Sequence, residues 1–179
     1  MQRVTLKDKT FVPYITADKI AESVRLMAQK INTDLASDMP LFLVVLNGSF
    51  MFAADLLKEV TIPCEISFIK LASYHGTSST GTVTEMIGLT EEIKGRTIVV
   101  VEDIVDTGVT LEKLMTLLIK KEVKQVKVAS FLLKPEAYTK AMVVDYVGME
   151  IPNEFVVGYG LDYDGLGRNM KEIYVLEKK

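Results

Sequence analysis

Thr97-Ile98-Val99-Val100-Val101-Glu102-Asp103-Ile104-Val105-Asp106-Thr107-Gly108-Val109-Thr110 is the stretch on which the fold turns. Its first five residues are β-branched and almost wholly apolar, with no polar alternation. They read as a strand buried on both faces, the kind found in parallel sheets covered by helices. A turn at Thr107-Gly108 follows, and Leu111, Leu114, Met115 and Leu118 mark the helix after it. The same grammar holds on either side. Leu41 to Leu46 is a second buried strand, with a helix expected from Phe50 to Lys58, and Cys64, Ile66 and Phe68 alternate with Glu65 and Ser67 as a strand resumes. Upstream, Ile20, Val24, Met27, Ile31 and Leu35 recur at helical spacing behind Thr16, a candidate N-cap. Downstream, Val126 to Leu133 is a third buried strand and Val143 to Val147 a fourth. Strands alternating with helices imply a mainly parallel, right-handed α/β sheet. After Ile151-Pro152 the pattern weakens into short strands and glycine turns, so Phe155 to Lys179 reads as a small cap on the sheet.

Composition narrows the function classes. The chain has 179 residues, of which 49% are hydrophobic and 25% charged, ordinary values for one compact domain. Lone Cys64 excludes an intrachain disulfide, and with a single histidine a Cys/His zinc site fails on ligand count. Twenty-one basic against 24 acidic residues leave a net charge of -3, which argues against a nucleic-acid partner. No apolar run approaches a membrane span, and Met1 to Val4 does not open a signal peptide, so the expected compartment is the cytoplasm.

The chemistry concentrates where the strand ends. Ligands of open α/β sheets bind at the carboxyl ends of strands, and the N-H groups of a helix N-terminus suit a phosphate. Thr107 and Thr110 would add hydroxyl donors. Neither a Walker A loop nor Gly-x-Gly-x-x-Gly is present, which disfavours nucleoside triphosphates and dinucleotides. Carboxylates beside a phosphate need another task, such as accepting sugar hydroxyls, holding Mg2+ or taking a proton. The plainer alternative is an acidic helix N-terminus with no ligand at all.

The segment Glu102 to Thr110 resembles the phosphoribosyl-pyrophosphate motif of the type I phosphoribosyltransferases, and more narrowly that of the hypoxanthine-guanine branch. The likeness runs through separated motifs from about Leu41 to Val175. It implies a type I phosphoribosyltransferase fold, a mainly parallel twisted sheet flanked by helices. It also implies one domain over residues 1–179, with a core of about 15–150 and a small hood from about 151–179 plus the N-terminal residues. Glu102 and Asp103 would hold the ribose hydroxyls, Asp106 would be the general base near N7 of a purine, and Thr107, Gly108, Val109 and Thr110 would wrap the 5'-phosphate. Leu46-Asn47-Gly48-Ser49 is similar to the family's pyrophosphate loop, which implies a non-proline cis peptide at Asn47-Gly48. Many relatives carry Lys where this chain has Asn47. Ser73 and Tyr74 match the Ser-Tyr pair of the family's mobile loop, which extends here to Gly81. Its His75 is read as merely solvated. Lys70 and Ala72 stand where some relatives have Arg and Lys.

Lys134 matches the lysine that donates to a purine 6-oxo group. Read alone, it is a solvated strand end. Phe155 would stack on the purine, Val156 would offer backbone groups to its edge, and Asp162 would bind a second Mg2+ and meet a 2-amino group. Arg168 matches an arginine that contacts pyrophosphate. The resemblance therefore implies Mg2+ on Glu102, Asp103 and Asp162, the substrates phosphoribosyl pyrophosphate and a 6-oxopurine, and a homodimer or homotetramer. Purine salvage is the expected role, with transfer to hypoxanthine, guanine or both. The alternatives are a xanthine phosphoribosyltransferase and a non-catalytic regulator that keeps the fold.

Overall fold

Residues 2–73, 84–87 and 91–178 are described in this computed structural model. In chain order they form β1 (Val4–Leu6), β2 (Lys9–Ile15), α1 (Ala17–Asp34), β3 (Leu41–Leu46), α2 (Phe50–Glu59), β4 (Glu65–Ser73) and β5 (Thr84–Ile87). There follow β6 (Thr97–Val105), α3 (Val109–Lys120), β7 (Gln125–Leu133), β8 (Tyr146–Glu150), β9 (Val156–Val157) and β10 (Ile173–Leu176). A six-stranded sheet has the order β5-β4-β3-β6-β7-β8, parallel except for β5 at one edge.

The central strands are apolar throughout because both faces are covered. Phe42, Val44, Val99 and Val101 pack with Val24, Met27 and Ile31 of α1 and with Phe52 and Leu56 of α2. Leu41, Leu43, Ile98 and Val100 face the other way, onto Leu111, Leu114 and Leu118 of α3. Pleat alternation sends neighbouring residues to opposite layers, so a strand between two layers has no polar side. Thr16 caps α1, its Oγ1 accepting from Lys19 N at 3.3 Å.

Two expectations shift. On β4, Ser67 and Ile69 are the buried positions, whereas Ile66 and Phe68 are 47% and 49% exposed. Ser67 donates to Glu91 at 2.8 Å, so this polar residue is sheltered by a side-chain partner. The last parallel strand starts at Tyr146, not Val143, which is 73% exposed. Asp145 ends the approach by accepting from Val128 N at 2.9 Å and from Lys127 Nζ at 2.8 Å.

Both ends of the chain meet in a second, antiparallel sheet of order β1-β2-β10-β9. One side gathers Phe11, Val157 and Tyr174, while Val156, Tyr159, Leu161 and Ile173 join the core shared with α1 and α2. No helix among the described residues is long and apolar enough to cross a membrane.

Candidate active site

Because β3, β6 and β7 are parallel, the segments that leave them emerge at one edge of the sheet. Val105 and Leu133 are register partners, and Lys134 N donates to Val105 O at 3.0 Å. That pairing places Lys134 beside Asp106, with Nζ 2.9 Å from Oδ2. The lysine is buried at 7% exposure while the Asp106 side chain is half-exposed, so a sheltered cation faces a solvent-accessible carboxylate. Gly108 (φ 81°) is the N-cap of α3 and has no side chain to cap it. The first N-H, of Val109, donates to Thr107 Oγ1 at a long 3.5 Å, a weak bond that an anion at this turn would replace. Thr107, Gly108, Val109 and Thr110 line one cleft together with Glu102 and Asp106.

The segment after β3 forms the opposite wall. A cis peptide joins Leu46 to Asn47, one residue before the expected Asn47-Gly48. Gly48 answers a different need, since a Cβ there would lie 1.6 Å from Asp103 Oδ2. Only a residue without a side chain lets Asp103 approach. Ser49, fully buried, donates to Val45 O at 2.6 Å and closes the turn. Across from Gly48, Gly160 sits so close that its Cβ would lie 1.9 Å from Gly48 O. Arg168 donates to Gly160 O at 2.7 Å and pairs with Asp162 Oδ1 at 2.6 Å, and Asp162 Oδ2 accepts from Gly165 N at 2.7 Å.

Burial raises both strand-end carboxyls. Glu102 lies well above the usual carboxyl range through desolvation and then the charge of Asp103. Asp103 is pushed up to about 6 by burial, partly offset by the N-H of Ile104 and by Arg168. Such shifts mark groups that a ligand or ion is needed to satisfy.

The phosphoribosyl transferase domain family matches residues 15–164. The chain belongs to the phosphoribosyltransferase family. It is 40% identical over 169 residues to the hypoxanthine-guanine phosphoribosyltransferase of Streptococcus agalactiae serotype V, covering 94% of this chain and 93% of that one. The enzyme of that name from Streptococcus pneumoniae strain R6 is 39% identical over 166 residues, 92% of each chain. A hypoxanthine phosphoribosyltransferase from Staphylococcus aureus superposes with a TM-score of 0.85 at 32% identity, covering 92% of this chain and 90% of that one.

Within this phosphoribosyltransferase the expected residues fall into three groups. Glu102, Asp106 and Thr107 to Thr110 share the cleft at the start of α3, with Lys134 on Asp106. Asn47, Gly48, Asp103, Asp162 and Arg168 converge where the β3 loop meets Gly160. Val156 opens β9 of the second sheet, and Phe155 just before it accepts from Leu176 N at 2.9 Å. The Phe155 ring is 5.9 Å from Tyr163, edge-on, and 6.1 Å from Phe11. Ser73 ends β4 opposite Thr84, while Tyr74 and the rest of the expected loop lie outside the described residues.

The expected metal ligands are Glu102 and Asp103 with Asp162 for a second ion, and among the described residues no three ligating side chains form a single cation site. Glu102 lines the cleft at the start of α3, Asp103 faces Gly48, and Asp162 pairs with Arg168. That donor set still fits Mg2+, which is commonly held by one or two carboxylates and completed by substrate phosphates and water.

Sequence reading passed over three contributors. Tyr138 and Lys140 press on Gly108, where a Cβ would lie 2.5 Å and 2.9 Å from them. Tyr159, an apparent core residue of the glycine-rich tail, donates to Asp55 Oδ2 at 2.9 Å. The two glycines flanking Tyr159 were the available signal.

Proposed function

We propose that this phosphoribosyltransferase transfers the 5-phosphoribosyl group of phosphoribosyl pyrophosphate to N9 of hypoxanthine, guanine or both, releasing pyrophosphate in purine salvage. The observation that carries the reading is the Lys134–Asp106 pair at 2.9 Å, set beside the N-terminus of α3. A 6-oxopurine carries O6 and N7 on one edge. A lysine donor and a carboxylate acceptor side by side match that edge, Lys134 meeting O6 and Asp106 taking the proton at N7. Adenine offers an amino donor instead of O6 and would leave the buried Lys134 facing another donor, the kind of mismatch that a polar pocket rejects.

The 5'-phosphate lies on the N-H groups of Val109 to Leu111 with the hydroxyls of Thr107 and Thr110. Glu102 and Asp103 accept the ribose hydroxyls, which offsets the burial that raises both carboxyls. The Asn47-Gly48 backbone and Arg168 steady the pyrophosphate. Phe155 stacks on the base, and Val156 presents backbone groups. Glu102, Asp103 and Asp162 would hold Mg2+ together with the substrate, and the ion would supply charge neutralisation for the leaving pyrophosphate. One domain spans the chain, with its hood built from both ends. The reading places the enzyme in the cytoplasm as a homodimer or homotetramer, and the exposed Ile66 and Phe68 on β4 offer apolar area for a second copy. Light scattering on the purified chain tests that assembly, and a monomer at micromolar concentration would dismiss it.

The deciding experiment offers phosphoribosyl pyrophosphate and Mg2+ with hypoxanthine, guanine, xanthine or adenine in separate spectrophotometric assays. Turnover of hypoxanthine or guanine without adenine is expected. Turnover of adenine would overturn the role of Lys134, and turnover of no base would overturn the enzyme.

A further inference from the structure

Tyr159 is 3% exposed, yet it adopts φ 51°, a left-handed conformation rare outside glycine. Something must hold it there, and three contacts do so. Its ring packs edge-on against Phe131 at 5.1 Å, and Phe131 in turn meets Phe52 of α2 at 5.4 Å. Its backbone N-H donates to Met170 O at 2.7 Å. Its hydroxyl donates to Asp55 Oδ2 at 2.9 Å, in the middle of α2. Burial and the Asp55 charge keep the phenol protonated, so it remains a donor.

The next residue, Gly160, lies against the Gly48 carbonyl and accepts from the Arg168 guanidinium. Helix α2 begins directly after the Gly48 loop, with Ser49 as its N-cap. The Tyr159–Asp55 bond therefore ties together the two segments that form the pyrophosphate wall, one carrying Gly48 and the other Gly160 and Arg168. From this geometry we infer that Tyr159 is a positioning residue for pyrophosphate, acting through Gly160 and Arg168, with Asp55 as its partner. The inference rests on the reading of this wall as the pyrophosphate site. Tyr159 touches no substrate. It fixes the distance between the Gly48 loop and Arg168, and it makes no hydrogen bond to the Lys134–Asp106 pair that meets the base.

The test uses the full chain with Tyr159→Phe, Asp55→Ala, Asp55→Asn and the Tyr159→Phe/Asp55→Ala double variant. Tyr159→Phe keeps the ring on Phe131 and removes only the hydroxyl. Titration with magnesium pyrophosphate is expected to show affinity reduced about tenfold in Tyr159→Phe and Asp55→Ala, a loss typical of one charge-assisted hydrogen bond. The double variant should lose no more than either single change, because both remove the same Tyr159–Asp55 bond and the Lys58 pair also lost with Asp55 is exposed. Asp55→Asn keeps an acceptor and should recover most of the affinity. In the assay, KM for phosphoribosyl pyrophosphate should rise while KM for hypoxanthine stays put. A lower melting temperature with unchanged pyrophosphate affinity, or equal weakening toward pyrophosphate and hypoxanthine, would reduce Tyr159 to a core residue and overturn the inference. Wild-type chain that binds pyrophosphate but turns over no base would sink the enzymatic reading and leave the inference standing. Wild-type chain that fails to bind pyrophosphate would overturn it.

Discussion

Asp103 sits on β6 with its carboxyl against Gly48 and Arg168 nearby, and its position sets a stability cost that can be titrated. Its folded value is raised from 3.8 to about 6, so between those values the folded chain holds a proton that the unfolded chain has released. Stability then increases as pH falls from neutral through 6, and the cost of the charged form is fully present above it. Solvent reaches part of the side chain, so Asp103→Asn should stabilise the fold at pH 7 by about 1–2 kcal/mol. The gain should shrink to nothing near pH 4. Urea melts of both chains at the two pH values would check this, and a gain that persists at low pH would remove ionisation as its cause. Asp106 invites a different experiment, since its side chain is half-exposed and its partner Lys134 is buried. Asp106→Asn leaves an acceptor for Lys134 but no base, so turnover should fall about a hundredfold or more with the circular dichroism unchanged. Near-normal turnover would remove Asp106 as the proton acceptor. The sequence made both carboxylates visible as candidates, through three acidic residues at the end of an apolar strand. It could not reveal that Asp103 meets Gly48 while Glu102 lines the α3 cleft, because those neighbours come from segments distant in the chain.

At the scale of elements, the parallel strands were the most legible part. Leu41 to Leu46 and Thr97 to Val101 have no polar side because helices cover both faces, and that absence is itself the signal. The β4 strand was legible as a strand but its inward face was not. Alternation gives the period, while the choice of face depends on which layer lies outside, and Ser67 is admitted by its bond to Glu91. The loop after β3 was legible only through the family resemblance. An Asn-Gly pair in isolation signals a turn, and nothing local announces that Asp103 occupies the space where a Gly48 side chain would go. Gly48→Ala thus sets a Cβ on a carboxylate oxygen at 1.6 Å, with β3 and β6 fixed on either side by their ladder. The loop must shift, so the variant should lose at least tenfold in affinity for magnesium pyrophosphate and about 2 kcal/mol or more in stability. Retained affinity together with an unchanged melting temperature would mean that the loop adapts and that Gly48 is dispensable.

The whole molecule closes on itself through its ends. β10 lies between β2 and β9, so residues near positions 10 and 175 are neighbours in one sheet. Ile173 is fully buried in the core shared with α1 and α2, and Tyr174 packs with Phe11 on the sheet's other side. The weak, glycine-broken pattern after Pro152 concealed this, because strands of two and four residues carry too little periodicity to be assigned. The same arrangement makes the chain's termini unequal. Glu177 keeps one backbone bond to Thr10 O and its ion pair with Arg3 at the surface, while exposed Lys178 pairs with partly buried Glu154. Surface ion pairs contribute little, so removing residues 178–179 should leave the melting temperature within a degree or two. Removing residues 173–179 deletes the strand that joins β2 to β9 and strips Ile173 from the core. A buried isoleucine contributes about 2–5 kcal/mol and the severed ladder more, a large part of a typical domain's stability. The longer truncation should therefore unfold near ambient temperature and lose pyrophosphate binding, since Tyr159, Gly160 and Arg168 are held in place from this side. Calorimetry of the two truncations decides the matter. A cooperative transition near the wild-type temperature in the longer one would show that the six-stranded sheet stands without its second sheet.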